Sequence, residues 1–276
     1  MNMSWKQEIS EIIGRQDENG GPYWSRADGN IHAPAGFSTI DVMHAIGQLG
    51  GKVEDSPVLK EAVEFLLGYQ NDDGSFRYGT QKSKLPCITA NVLSVLGRLS
   101  LPNSASIDKS YSWLLDNQAA DGGWRCATVK LGKAPETDAS NPGTTLWVLD
   151  AFLFKNGMKR HVDALNSGVD FLLDHWSSRK PLGPCNFGIG GRFLKTEFPF
   201  RRYNLFYYVY VLSQYESARN DKRLHEAFEA LKPYTDSGHL SVASPHRAWK
   251  GAVFAPQTGP SEPASKYWKE IVKRLG

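Results

Sequence analysis

One phrase returns three times along the chain: a helical run ending in Gln, an acidic turn containing Gly, then an aromatic. It reads Gln16-Asp17-Glu18-Asn19-Gly20-Gly21-Pro22-Tyr23-Trp24, then Gln70-Asn71-Asp72-Asp73-Gly74-Ser75-Phe76, then Gln118-Ala119-Ala120-Asp121-Gly122-Gly123-Trp124. The Gln residues stand 54 and 48 positions apart, a period at which repeated units stack into solenoids, propellers or closed rings. Weaker echoes follow at Trp176 and at Leu231-Lys232-Pro233-Tyr234. Asp-Gly and Gly-Gly supply the positive φ that ends a helix and reverses the chain. The aromatic is placed to fold back onto that helix end. The Gln amide can serve groups left free at neighbouring helix termini.

Between the turns the pattern is helical and paired. One set of helices has a single apolar face, as in Val58, Leu59, Ala62, Val63 and Leu66 with Lys60, Glu61 and Glu64 opposite. These read as outer helices. The other set, Ser38 to Leu49, Ile88 to Leu99, Thr144 to Phe154 and Tyr203 to Tyr215, is nearly uncharged and reads as doubly buried. Pro263 to Leu275 is a more charged fifth member. The expected fold is all-α, a toroid of five to six helical hairpins in one domain over 1–276. Its repeats fall near 1–50, 51–100, 101–156, 157–216 and 217–276. The long segments 20–37, 126–142, 183–200 and 238–261 each join an outer helix to the next inner one, so they should gather at one rim.

Composition narrows the functional classes. With 276 residues, 41% of them hydrophobic, the chain can bury a core without disulfides or metals. Its 32 basic and 29 acidic residues, with no long run of like charge, argue against a nucleic-acid-binding surface. Nothing approaches the roughly eighteen apolar residues of a membrane span, so an integral membrane protein is not expected. The N-terminal stretch lacks the apolar run of a signal peptide, and the odd cysteine count favours a reducing compartment. A cytoplasmic location is the resulting expectation. No cofactor is specified.

The Gln-x-x-Asp-Gly-x-Trp/Phe phrase resembles the repeat of squalene and hopene cyclases and of protein prenyltransferase β subunits, strongly from about 40 to 156. The chain looks most like small bacterial proteins with prenyltransferase/squalene cyclase repeats. That resemblance implies an α/α barrel with an aromatic-lined central cavity for an isoprenoid. The family's reaction motifs carry over poorly. No Asp-x-Asp-Asp occurs; the nearest acids are Asp72-Asp73, within a turn, and Glu136-Thr137-Asp138. Aligned on Trp147, Asn141 and Gly143 stand where the prenyltransferase zinc ligands Asp and Cys belong, and Asn204 where its His belongs.

Polar residues on the inner helices supply site candidates, because an unpaired buried polar group costs roughly 1–3 kcal/mol. Asp41, His44 and Gln48 share one helical face, as do Cys87, Asn91, Ser94 and Arg98, then Thr144, Trp147 and Asp150, and Asn204 with Tyr208. Asp41 with His44 forms the best proton-transfer pair, since a carboxylate can hold an imidazole in one tautomer. Asp150 is the third catalytic candidate. Arg192, Lys195, Arg201 and Arg202 form a basic cluster suited to a diphosphate. Asn91, Trp147, Asn204, Tyr207 and Tyr208 are expected to line the pocket of a hydrophobic small-molecule substrate. Cys87, Cys126 and Cys185 should meet at the rim, where His32, Asp138 or His239 would complete a metal site. The ordinary alternative for each is packing or hydrogen bonding within the fold. Two other functional classes stay open. A polysaccharide hydrolase or lyase would need opposed carboxylates from Asp41, Asp138, Asp150 or Glu197, and a scaffold would bind a protein partner.

Overall fold

The alternation of half-buried and fully buried helices becomes two concentric layers. The computed structural model describes residues 3–127, 138–243, 245–256 and 259–276. Among the described residues, the ten helices that build the two layers are α1 (Met3–Ile13), α2 (Thr39–Gln48), α3 (Pro57–Leu67), α4 (Pro86–Arg98), α5 (Ala105–Asp116), α6 (Pro142–Phe152), α7 (Val162–Ser178), α8 (Leu205–Leu212), α9 (Lys222–Leu231) and α10 (Glu262–Leu275), with one short helical turn at Glu216–Arg219 between α8 and α9. Odd-numbered helices are outer, even-numbered ones inner. Thus α3 buries Leu59, Ala62, Val63 and Leu66 only, whereas all eight residues of α8 are buried. The last inner helix, α10, keeps one charged face in water.

Hydroxyl, amide and carboxylate side chains start most of these helices. Ser38, Ser56, Ser104, Asn141, Asn204, Asp221 and Ser261 each accept a hydrogen bond from a first-turn backbone N–H, satisfying donors that have no partner within the helix. Asp41 completes a capping box with Ser38.

The repeated turn stitches one hairpin to the next. Trp24, Phe76 and Trp124 are fully buried. The Trp24 and Trp124 indole N–H groups donate to the carbonyls of Ile12 and Leu114 on the helices they follow. Gln70 donates to the Ser106 carbonyl and to Ser110 Oγ on the next outer helix, and Gln118 to the Ala164 carbonyl. Gly74 and Gly122 have φ of 95° and 86°. A Cβ there would stand 2.7 Å from the Lys109 carbonyl oxygen or 2.6 Å from that of Ser167. Glycine is required both for the turn and for the close approach of the next helix.

Inner helices pack in succession, α2 on α4, α4 on α6, α6 on α8 and α8 on α10. Tyr267 Oη of α10 donates to the Gln48 carbonyl of α2 at 3.3 Å, which closes the ring at five hairpins. The loops close in the same order. Ile31 N–H donates to the Tyr78 carbonyl, Cys87 Sγ to the Cys126 carbonyl, and Thr196 Oγ1 to the Ser241 carbonyl. Gly183 rests on Asn141, and Trp249 returns to Phe37 with ring centroids 5.3 Å apart. The described parts of the long loops therefore share one mouth.

The interior differs from the expected central cavity. Phe200, from the loop before α8, lies fully buried among Phe206, Tyr207 and Tyr210 of α8 and Tyr267 of α10. Tyr207 in turn faces Arg98 and Asp150 from α4 and α6. Side chains from the inner helices fill this volume, His44 of α2 among them, and α2 also holds the Phe200 backbone through Gln48. Among the described residues, open space lies above this plug, at the mouth.

Candidate functional site

A cavity of about 570 Å³ opens at the mouth, between the starts of the inner helices and the loop preceding α8. Part of its lining is apolar and aromatic: Ile40, Trp147, Phe187, Phe193 and Tyr203. The rest is charged and polar, with Arg192, Arg201 and Arg202 beside Asp41, Asn91 and His32. Its shape follows from how residues 200–202 are pinned. Arg201 Nε donates to Asp41 Oδ1 at 2.7 Å, and the Arg201 carbonyl accepts from Trp147 Nε1 at 3.3 Å. Arg202 lies 3.9 Å from Glu197.

Asp41 is an anchor with its oxygens engaged. Oδ2 accepts from Gly36 N–H at 2.6 Å and Ser38 Oγ at 2.9 Å, and Oδ1 takes Arg201. Glu197 sits behind the arginines. Burial pushes its carboxyl above the usual range against the pull of Arg202, Arg201 and Arg192. Among the described residues, its Oε1 has no hydrogen-bond partner. His246 packs onto Gly36, and burial followed by Arg201 and Arg202 pushes its imidazole down to about 4.

The cleft brings together His32, Asp41, Asn91, Trp147, Cys185, Arg192, Arg201 and Arg202 from the sequence candidates. The others lie elsewhere. Lys195 is exposed outside the cleft lining. His44 points into the ring, where burial and then Arg98 push it down to about 4. Among the described residues neither His44 ring nitrogen has a hydrogen-bond partner, so the expected Asp41–His44 hydrogen bond is not formed. Asp150 is sealed in the interior on Arg98, at 2.5 Å, and Ser94. Asn204 is spent as the N-cap of α8, its Oδ1 accepting from Tyr207 N–H. Tyr207 packs on the plug, and Tyr208 turns outward, its hydroxyl donating to the Leu172 carbonyl of α7.

The cysteines are free and meet at the rim, with the Cys126 and Cys185 thiols side by side. Among the described residues, however, no group of three His, Cys, Asp or Glu side chains could hold a metal ion. Asp138 is turned to Arg125, and His239 is exposed. The zinc positions implied by resemblance do not fit either: Asn141 and Asn204 are helix caps, and Gly143 has no donor side chain. Glu136 and Thr137 lie outside the described residues, as does most of the 126–142 loop.

Sequence reasoning placed Gln48 on the face of Asp41 and His44 but did not pair it with Phe200. A signal was present: Phe198-Pro199-Phe200 is an apolar run inside a loop otherwise rich in Gly and charge.

No helix among the described residues is long and apolar enough to cross a membrane. A squalene–hopene cyclase of Zymomonas mobilis is 25% identical over 229 residues, covering 75% of this chain and 34% of that protein. The chain thus spans about a third of that relative's length. An ent-copalyl diphosphate synthase structure from Streptomyces platensis aligns with 98% of this chain and 50% of its own, at 16% identity and a TM-score of 0.47. The family model described as the squalene-hopene cyclase C-terminal domain matches residues 15–217, and the chain belongs to that family.

Proposed function

We propose that this protein is an enzyme of terpenoid-cyclase type that binds and transforms an isoprenoid chain in the cleft at the ring mouth. The chain lies on the wall of Trp147, Phe187, Phe193 and Tyr203, and a diphosphate head is held by Arg192, Arg201 and Arg202. The observation that supports this reading is that one cleft is lined both by aromatic rings and by three guanidinium groups. Planar guanidinium groups suit phosphate oxygens, and aromatic faces accept an apolar chain and stabilise cationic character passing over it. Asp41 acts here as a positioning residue that aims Arg201, since donors already occupy its oxygens. Family membership supports the isoprenoid class.

Calorimetry with prenyl diphosphates and the matching prenyl alcohols tests it. The diphosphates should bind at least about tenfold more tightly, and Arg192→Ala and Arg202→Ala should remove that preference while leaving alcohol binding intact. Equal binding of the two series, or binding of neither, rejects the reading.

The filled ring axis favours a second reading, in which the cleft is a binding module that holds its ligand without turnover. Recovery of an unchanged prenyl diphosphate after long incubation would select it. The carbohydrate reading has less support, because Asp41 is the one carboxylate among the described cleft-lining residues, whereas glycoside hydrolysis uses a facing pair.

A further inference from the structure

We propose that Phe200 sets the depth of the site: its ring occupies an apolar chamber that continues the cleft, and so restricts the ligand to short chains. This rests on reading the cleft as an isoprenoid site. Two consecutive residues carry the inference. Arg201 lines the cleft, while the side chain of Phe200 departs from the same stretch of backbone into the ring. Their placement is fixed from both sides. The Gln48 amide takes both polar groups of Phe200, accepting from its N–H at 2.6 Å and donating to its carbonyl at 3.1 Å. Asp41 and Trp147 hold Arg201. The segment is thereby tied across the mouth to α2 and α6.

What Phe200 occupies is a cage of aromatic faces. Its ring stacks on Tyr207 at 4.8 Å and 11° and on Tyr210 at 5.2 Å and 23°. Phe206 and Tyr267 present their rings at 4.8 and 5.0 Å, and Phe198 at 5.6 Å. Apart from Phe198, which shares the loop of Phe200, these walls belong to inner helices braced by the outer layer, so the space does not collapse fully when the central ring is removed. A cavity lined this way stays dry and takes apolar ligands. An unsaturated hydrocarbon chain suits it as a phenylalanine ring does, by area and by its contact with aromatic faces. Phe200 is thus a tethered occupant of the place where the distal part of a long chain would lie.

The experiment compares the full chain with Phe200→Ala and Phe200→Leu. Affinity is measured for prenyl diphosphates of two, three and four isoprene units, with indole as a small apolar probe of the chamber. Wild-type affinity should stop rising beyond the shortest chains. Phe200→Ala should bind the longest at least about tenfold more tightly than wild type, with little change for the shortest, and indole should raise the melting temperature of the variant only. A folded Phe200→Ala protein with unchanged length preference and no response to indole overturns the proposal. Where the alanine variant does not fold, Phe200→Leu decides by the same criteria with a smaller gain. If no protein binds a prenyl diphosphate yet indole stabilises the variant alone, the isoprenoid reading falls and the plugged chamber stands.

Discussion

Two aspartate–arginine pairs face each other across the depth of the ring. Asp41 and Arg201 stand at the mouth, and Asp150 and Arg98 in the interior. Each aspartate comes from an inner helix, and each also accepts from a serine hydroxyl, Ser38 or Ser94. The chemistry is nearly the same, yet Arg201 keeps 17% of its side chain accessible and Arg98 only 4%. Arg201 can turn part of its guanidinium toward a ligand. Arg98 has only the protein to address. Access to the cleft, rather than residue type, separates the pair that can take part in binding from the pair that ties α4 to α6.

The largest expected effect follows from that contrast. Removing one partner of a buried ion pair leaves an uncompensated charge, so Asp150→Ala should lower unfolding stability by about 3–5 kcal/mol. Arg201→Ala should cost less, about 1–3 kcal/mol, because Asp41, although buried, keeps its donors from Gly36 and Ser38. Denaturant titration of both variants would show it, and equal losses would mean that the mouth pair is structural too. The double variant Asp150→Leu with Arg98→Met should recover much of the loss, since it leaves no lone buried charge.

A second effect of similar size concerns pH. His44 holds its folded-state value near 4, below the ordinary 6.5, chiefly because burial disfavours its cation. The unfolded chain therefore takes up the proton first. Stability present above pH 6.5 should fall as pH drops towards 4, by roughly 3 kcal/mol in all. His246 acts in the same direction at the mouth. His44→Leu should flatten most of this slope in denaturant melts run between pH 7 and 4. An unchanged slope would assign it to His246 or the carboxylates.

The smallest effect is one of reactivity. The Cys126 thiol, with Asn141, draws Cys185 down to about 6, whereas burial pushes Cys87 up to about 12. The thiolate is the nucleophile, so at pH 7 iodoacetamide should label Cys185 at least about a hundredfold faster than Cys87. Peptide mass spectrometry reads this directly. A ligand in the cleft should slow labelling of Cys185, which lines it, and leave Cys87 unaffected.

Much of the scaffold was legible from local rules. The Gln-to-aromatic turns mark hairpin boundaries, and the buried Trp24, Phe76 and Trp124 bear out the folding back expected of them. The site was legible only in part. Asp41 and His44 share a helical face by spacing, but Asp41 sits in the first turn and is drawn to the cap. His44, one turn deeper, enters the ring. Asn204 and Tyr208 share a face as well, yet one caps the helix and the other meets Leu172 of the outer layer. Spacing along a helix says which residues are neighbours; it leaves open which neighbouring helix they meet.

The amino-acid sequence alone determined the hairpins and their inner and outer roles, because periodicity, capping and turn chemistry act within a few residues. Only the tertiary structure decided that the axis is plugged. Phe200 and Gln48 are 152 residues apart, and no local preference predicts that one will clamp the other. Their meeting depends on closure of the ring, and with it the position of the cleft at the mouth.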